Sequence, residues 1–311
     1  MMATKTKLEK DSCLKKGSLA TVKRNKLIFC CTMLVLPFLQ FLIFYVYVNA
    51  RSFVLGFQEF SYDKGRYVFA GLKQFKQIFQ DFQINETLRS SVPNSLTLFF
   101  WTFIFGSIGA VLFSYYIYKK NVLSGTFKVL LYLPHILGTV VVVVMYKYFV
   151  EDAIPIIFDL EDGLLSNPDT KRAVIMFYSI YMSFGPRILV YSSAMSGISD
   201  SLIESAQLDG VNTVQELLYI VLPSIWGTFI TFMVASIVGI FTNQMALYTF
   251  YGGDAPPDLY TFGYYLYRNA KAGTSAEYPY LAAMGLLLTV IAVPLTMFTR
   301  WALKKYGPSK E

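Results

Sequence analysis

Apolar residues gather into six long blocks along the chain, 27–48, 92–118, 127–150, 173–197, 219–243 and 281–303, separated by stretches richer in charge, glycine and proline. A helix rises about 1.5 Å per residue, so roughly 20 apolar residues cross the ~30 Å hydrocarbon layer of a bilayer. Each block is long enough, and the pattern predicts six membrane-spanning helices with both termini on one side. The first block follows a basic tail and has no small-residue cleavage site after it, which predicts a retained helix and not a removed leader.

Composition agrees with this reading. Of 311 residues, 55% are hydrophobic and 15% charged, and the mean hydropathy is +0.46, values of a polytopic membrane protein. The net charge of +7 therefore does not call for nucleic acid. Cys13, Cys30 and Cys31 form no CxxC pair and His135 is the single histidine, so neither a disulfide framework nor a zinc site is supported. No G-x-x-x-x-G-K-[ST] loop occurs, indeed no Gly-Lys pair, and no catalytic or metal-ligating set stands out.

Basic residues orient the helices. The N-terminal tail holds Lys5, Lys7, Lys10, Lys15, Lys16, Lys23, Arg24 and Lys26, the second inter-helix loop Lys119, Lys120 and Lys128, and the C-terminal end Arg300, Lys304, Lys305 and Lys310. These predict cytoplasmic termini. The chain then divides into a basic cytoplasmic tail (1–26), a first transmembrane helix (27–48), an extracellular loop (49–91), a core of five helices (92–303) containing a cytoplasmic loop at 198–218, and a cytoplasmic tail (304–311).

That cytoplasmic loop departs from the charge trend. It carries Asp200, Glu204, Asp209 and Glu216 with no Lys or Arg. A loop without base does not cling to anionic lipid, which directs it toward a protein. Ser201 with Glu204, and Thr213 with Glu216, have the spacing of capping boxes, Gly210 sits where a helix would end in a left-handed residue, and Pro223 suits the first turn of the next span. The prediction is helix, glycine turn, helix, re-entry.

The same residues resemble the EAA loop of importer-type ABC transporter permeases, E-A-A, three residues, G, nine residues, I-x-L-P. Here Glu204-Ser205-Ala206, Gly210 and Ile220-Val221-Leu222-Pro223 keep that spacing, with Ser205 in place of the first alanine. From about Gly71 onward the chain is similar to the maltose-transporter type of sugar permease, through "GLKQFKQIF", "YLPHILGTVVVVVMY" and "FYGGDAPPDLYTFGYYLY".

The resemblance implies an all-α membrane protein with six transmembrane helices and the type I importer permease fold. It implies a second, homologous permease as heterodimer partner, a cytoplasmic ATPase dimer that holds ATP and Mg, an extracellular solute-binding protein, and a carbohydrate cargo, neutral or acidic. No cofactor is expected on this chain. Coupling to the ATPase is expected of Glu204, Ser205, Ala206, Asp209, Gly210, Ile220, Leu222 and Pro223. A permease for a non-sugar solute is the alternative within the family. A secondary transporter would need inverted repeats or a relay of intramembrane acids, and neither is visible.

Two of the ionisable residues inside predicted spans call for an account. Lys147 lies near a helix end, where it snorkels or pairs with Glu151. Arg187 lies ten residues before Gly197, about 15 Å deep, with no carboxylate of this chain at that depth. Its counter-group is then the partner permease, backbone carbonyls freed at Gly185-Pro186, or the substrate. Tyr191, Ser192, Asn243 and Gln244 are the accompanying pathway candidates, and helix-packing glue is the other reading of such hydroxyls.

Overall fold

The computed structural model describes residues 23–308; the tail residues Lys5, Lys7, Lys10, Cys13, Lys15, Lys16 and Lys310 lie outside the described residues. The chain separates into two compact units, 1–56 and 57–311. In the first, one helix (α1, Lys23–Leu55) spans 33 residues, longer at both ends than the apolar block. Three of its polar side chains, Thr32, Asn49 and Ser52, donate to carbonyls one turn back. The backbone thereby serves polar groups that lipid cannot.

The second unit opens with an antiparallel hairpin, β1 (Gln58–Ser61) and β2 (Arg66–Phe69), turned at Gly65 with φ +58°. A short helix follows (α2, Lys73–Ile84), tied back to the hairpin by Lys73 on Glu59 and by the Gln74 amide on the Gln58 carbonyl. The predicted extracellular loop 49–91 is therefore largely ordered secondary structure. Its composition concealed this because amphipathic and hairpin segments are short and polar on one side.

The spanning helices are α3 (Glu86–Tyr118), α6 (Lys171–Met195), α9 (Trp226–Thr242, continued after a break by α10, Leu247–Tyr251) and α12 (Tyr278–Tyr306). The block 127–150 is not one straight helix. It is α4 (Ser124–Ile136) and α5 (Thr139–Phe158), bent by 106° at Leu137-Gly138. Both linking residues are extended, just after Pro134. With α1, the described residues hold five helices long and apolar enough to span, or six if the bent pair counts as one span.

Between α6 and α9 come α7 (Asp200–Leu208) and α8 (Thr213–Glu216), then a π-helical turn Leu217–Val221. A last helix, α11 (Phe262–Ala272), precedes α12. Expected as the start of a long span, Pro223 instead lies before a break at Ile225, and α9 begins at Trp226.

Three apolar cores hold this unit. One gathers Leu98, Ile175, Tyr178, Leu247, Phe250 and Tyr264. A second joins α3, α6 and residues 217–225 through Ala110, Ile188, Tyr191, Met195, Val221 and Ile225. A third packs α2, α3, α11 and α12 through Ile78, Leu88, Phe262, Ala283 and Met284. At Gly185 the backbones of α6 and α4 approach so closely that a Cβ would stand 2.9 Å from the Leu131 carbonyl oxygen. Small residues at membrane helix crossings serve this purpose.

Asn94 anchors the connection between α10 and α11. Its amide donates to the carbonyls of Asp258 and Tyr260 at 2.7 and 2.9 Å, and its oxygen accepts from Arg172 at 2.8 Å. Nearby, Ser95 accepts from the Phe262 N–H, and Thr261 donates to the Asn243 carbonyl. This fixes where Asn243, and the cavity it lines, sit against α3.

Candidate functional sites: a polar cavity and a coupling segment

A cavity of about 130 Å³ lies among α3, α6 and α9, lined by Thr102, Ser179, Ser183, Arg187, Ser236 and Asn243, with Leu98, Phe99, Ala235 and Gly239 completing the wall. Arg187 is the one charge in it. Its Nη1 donates to the Thr102 carbonyl and to Ser183 Oγ, each at 3.1 Å, and its Nη2 donates to Ser236 Oγ at 3.1 Å. The Phe232 ring stands 5.9 Å from the guanidinium carbon.

Helix geometry explains this seat. Ser183 lies one turn before Arg187 on α6, Ser236 reaches across from α9, and Thr102 precedes the π-helical turn Ile104–Ile108 of α3. Gly106 in that turn leaves the room: a Cβ there would overlap Arg187 Nη1 and come within 2.6 Å of Ser183 Oγ. The carbonyl that serves Arg187 is thus on α3. It is not one freed at Gly185-Pro186, although Pro186, lacking an N–H, lies inside α6.

A guanidinium has five N–H donors and three hydrogen bonds are made here, so donors remain for the cavity. Neutral partners leave its charge uncancelled. Of the residues expected beside it, Asn243 lines the same cavity, and Gln244 follows it with a buried Oε1 that has no partner among the described residues. Tyr191 and Ser192 are not part of this cavity's wall. Tyr191 is wholly buried in the second core against Phe232, the ring that Arg187 also faces, with its hydroxyl unpartnered among the described residues, and Ser192 donates to the Leu189 carbonyl. Lys147, midway along α5, is exposed without an ion pair among the described residues, and Glu151 accepts from Ser166 instead.

The segment 198–218, expected to couple to an ATPase, follows the predicted order of helix, turn and helix, with different caps. Ser199, not Ser201, precedes α7, and no side chain caps it. The second capping box is formed by Asn212 with Gln215 in place of Thr213 with Glu216. Gly210 does end α7 with φ +77°. Its N–H donates to the Gln207 carbonyl and the Val211 N–H to the Ala206 carbonyl, both at 3.1 Å, the paired bonds of a Schellman turn.

Glu204, Ser205, Asp209 and Gly210 are exposed, and neither acid has an ion pair among the described residues. Ala206, with Ile203, faces the chain itself, so close approach there is internal. Ile220, Leu222 and Pro223 are half-buried around the fully buried Val221.

Glu216 behaves unlike the other three acids of the loop. It is 3% exposed. Lys119 Nζ at the end of α3 lies 2.5 and 2.7 Å from its two carboxylate oxygens, and the Tyr115 hydroxyl is 3.1 Å from Oε1. The same hydroxyl is 3.2 Å from the Thr213 carbonyl. Sequence reading took Glu216 for a cap and Lys119 for an orientation signal; 97 positions separate them, and no spacing rule links such a pair.

Residues 113–309 match the family described as binding-protein-dependent transport system inner membrane component. Among curated relatives, the arabinooligosaccharides transport system permease protein AraP of Bacillus subtilis is 24% identical over 85% of each chain. Protein LplB of the same organism is 24% identical over 93% of this chain and 92% of its own. The maltose/maltodextrin permease protein MalF of Salmonella typhimurium is 22% identical over 75% of this chain and 49% of its own. In fold, the chain resembles a solved chain of a bacterial ABC transporter that imports the acidic polysaccharide alginate, with TM-score 0.74, 23% identity, and coverage of 92% and 98%. The chain belongs to the inner membrane components of binding-protein-dependent transport systems, and is a multi-pass protein of the plasma membrane.

Proposed function

We propose that this chain is the permease subunit of an importer for oligosaccharides, acidic glycans among them, working by alternating access. Both termini and the segment 198–218 face the cytoplasm, as the basic residues favour. A second, homologous permease completes the pathway, an ATPase dimer holding ATP and Mg takes the exposed acids Glu204 and Asp209, and an extracellular binding protein delivers the cargo. Relatives named for arabinooligosaccharides and maltodextrins support the carbohydrate class.

The observation that carries the acidic range is Arg187: a guanidinium at the wall of a cavity, held only by neutral groups, with donors to spare. An intramembrane charge of this kind marks a pathway. A carboxylated sugar would supply the missing counter-charge.

The test is ATP hydrolysis by the co-expressed complex in nanodiscs, with the binding protein and a panel of neutral and acidic oligosaccharides, for wild type and Arg187→Gln. The expected result is stimulation of wild type by acidic glycans and loss of that response alone in the variant. Equal stimulation of both by neutral sugars would make Arg187 architectural and remove acidic cargo from the reading.

A further inference from the structure

We propose that Glu216, Lys119 and Tyr115 form a latch that transmits motion of the coupling segment to α3, and through α3 to the Arg187 cavity. This rests on the importer reading above but concerns a residue at a position that the EAA pattern leaves unspecified. The ion pair is the segment's polar link to the bundle: Asp200, Glu204 and Asp209 are exposed, while Glu216 is buried against α3. A buried carboxylate must recover its lost hydration from neighbours, and here two come from the same helix. Lys119 meets both carboxylate oxygens, and Tyr115, one turn earlier, meets one oxygen.

The segment is closed by local hydrogen bonds and apolar packing along its path to Glu216. The Schellman turn closes α7, the Asn212–Gln215 box opens α8, and Val221 and Ile225 are buried beneath it with α3 and α6 residues. A push on the exposed Glu204–Gly210 end therefore arrives at Glu216. From Lys119, α3 continues to Gly106 and Thr102, seventeen residues away or roughly 25 Å along the axis. Those two residues shape the guanidinium seat. One continuous helix, carrying the π-helical turn Ile104–Ile108, thus joins the latch to the cavity, the physical connection that coupling of two sites requires.

Two measurements test this. In the co-expressed complex, Glu216→Gln should keep unstimulated ATP hydrolysis within about twofold and lose at least fivefold of the stimulation by loaded binding protein. Glu216→Lys should lose it too, and the charge exchange Glu216→Lys with Lys119→Glu should recover at least half. Wild-type stimulation in Glu216→Gln, or no recovery in the exchange, would overturn the latch.

The second measurement needs no cargo. Spin labels are placed at Ser205→Cys and Asn121→Cys in the same complex, with Cys13, Cys30 and Cys31 replaced by serine, and their distance distribution is read by pulsed electron paramagnetic resonance. A narrow distribution is expected, broadened at least twofold by Glu216→Gln. Equal widths would overturn the latch even if the chain transports sugar. Absence of glycan stimulation in wild type would instead count against the importer reading alone.

Discussion

Two charges beside α3, a half-buried arginine and a buried glutamate, are stabilised in opposite ways. Arg187 sits among α3, α6 and α9 with a carbonyl and two hydroxyls, so its charge is solvated without being cancelled. Glu216 sits where α8 meets the end of α3 with an ammonium and a phenol, so its charge is cancelled. A solvated charge still attracts an anion, whereas a cancelled one only fixes two segments together. The difference separates a residue suited to reading cargo from one suited to carrying force, although both are ionisable groups beside α3.

The largest effect expected from this contrast is an asymmetry within the ion pair. The Glu216 side chain is 4% exposed and that of Lys119 is 24%. Lys119→Met strands a buried carboxylate, which costs about 3–5 kcal/mol. Glu216→Met strands an ammonium whose flexible stem reaches water, and its loss should be smaller, about 1–2 kcal/mol. Unfolding midpoints of the purified complex measure both. Equal losses would mean that Glu216 hydrates as easily as Lys119 and that the charge is not held as the geometry implies.

Next in size is a wedge at the other charge. In Gly106→Val the new side chain occupies the place of Arg187 Nη1, and overpacking of this kind costs about 1–3 kcal/mol. Gly239→Ala, on the same cavity and inside α9 with no atom within 4 Å of the added carbon, should cost no stability and gain up to about 1 kcal/mol of helix propensity. Shortening the arginine should relieve the wedge, so Gly106→Val with Arg187→Gln should lose less than the two single variants added together. Strict additivity would show that Gly106 matters for some reason other than the guanidinium.

These contrasts also explain what could be read from sequence. The six apolar blocks, the left-handed Gly210 and the fixed distance to Ile220-Val221-Leu222-Pro223 were legible because each depends on local pattern. The bend at Leu137-Gly138 was not, since the apolar run continues across it and hydropathy does not register direction. Neither were the partners of Arg187, because a backbone carbonyl and two serines leave no mark on charge pattern. Capping residues missed by two positions at Ser199 and by one at Asn212, where several neighbouring Ser, Thr and Asn residues offered competing boxes. Glu216 was visible as an acid but not as a buried one, since its partner arrives through tertiary packing.

The smallest effect sharpens the force-carrying side of the comparison. Gly210 has φ +77° and open space where a Cβ would go, so an added methyl group meets no neighbour. Only backbone conformation is at stake, and Gly210→Ala should cost roughly 1 kcal/mol. Asparagine tolerates the left-handed region better, so Gly210→Asn should recover part of that loss. If the turn serves to stiffen the path from Glu204 to Glu216, stimulated ATP hydrolysis should fall in the same order, glycine above asparagine above alanine. A stability loss without that order in stimulation would leave the turn as a helix terminus only, and force would then have to reach Glu216 through the buried Ile203 and Ala206 face of α7.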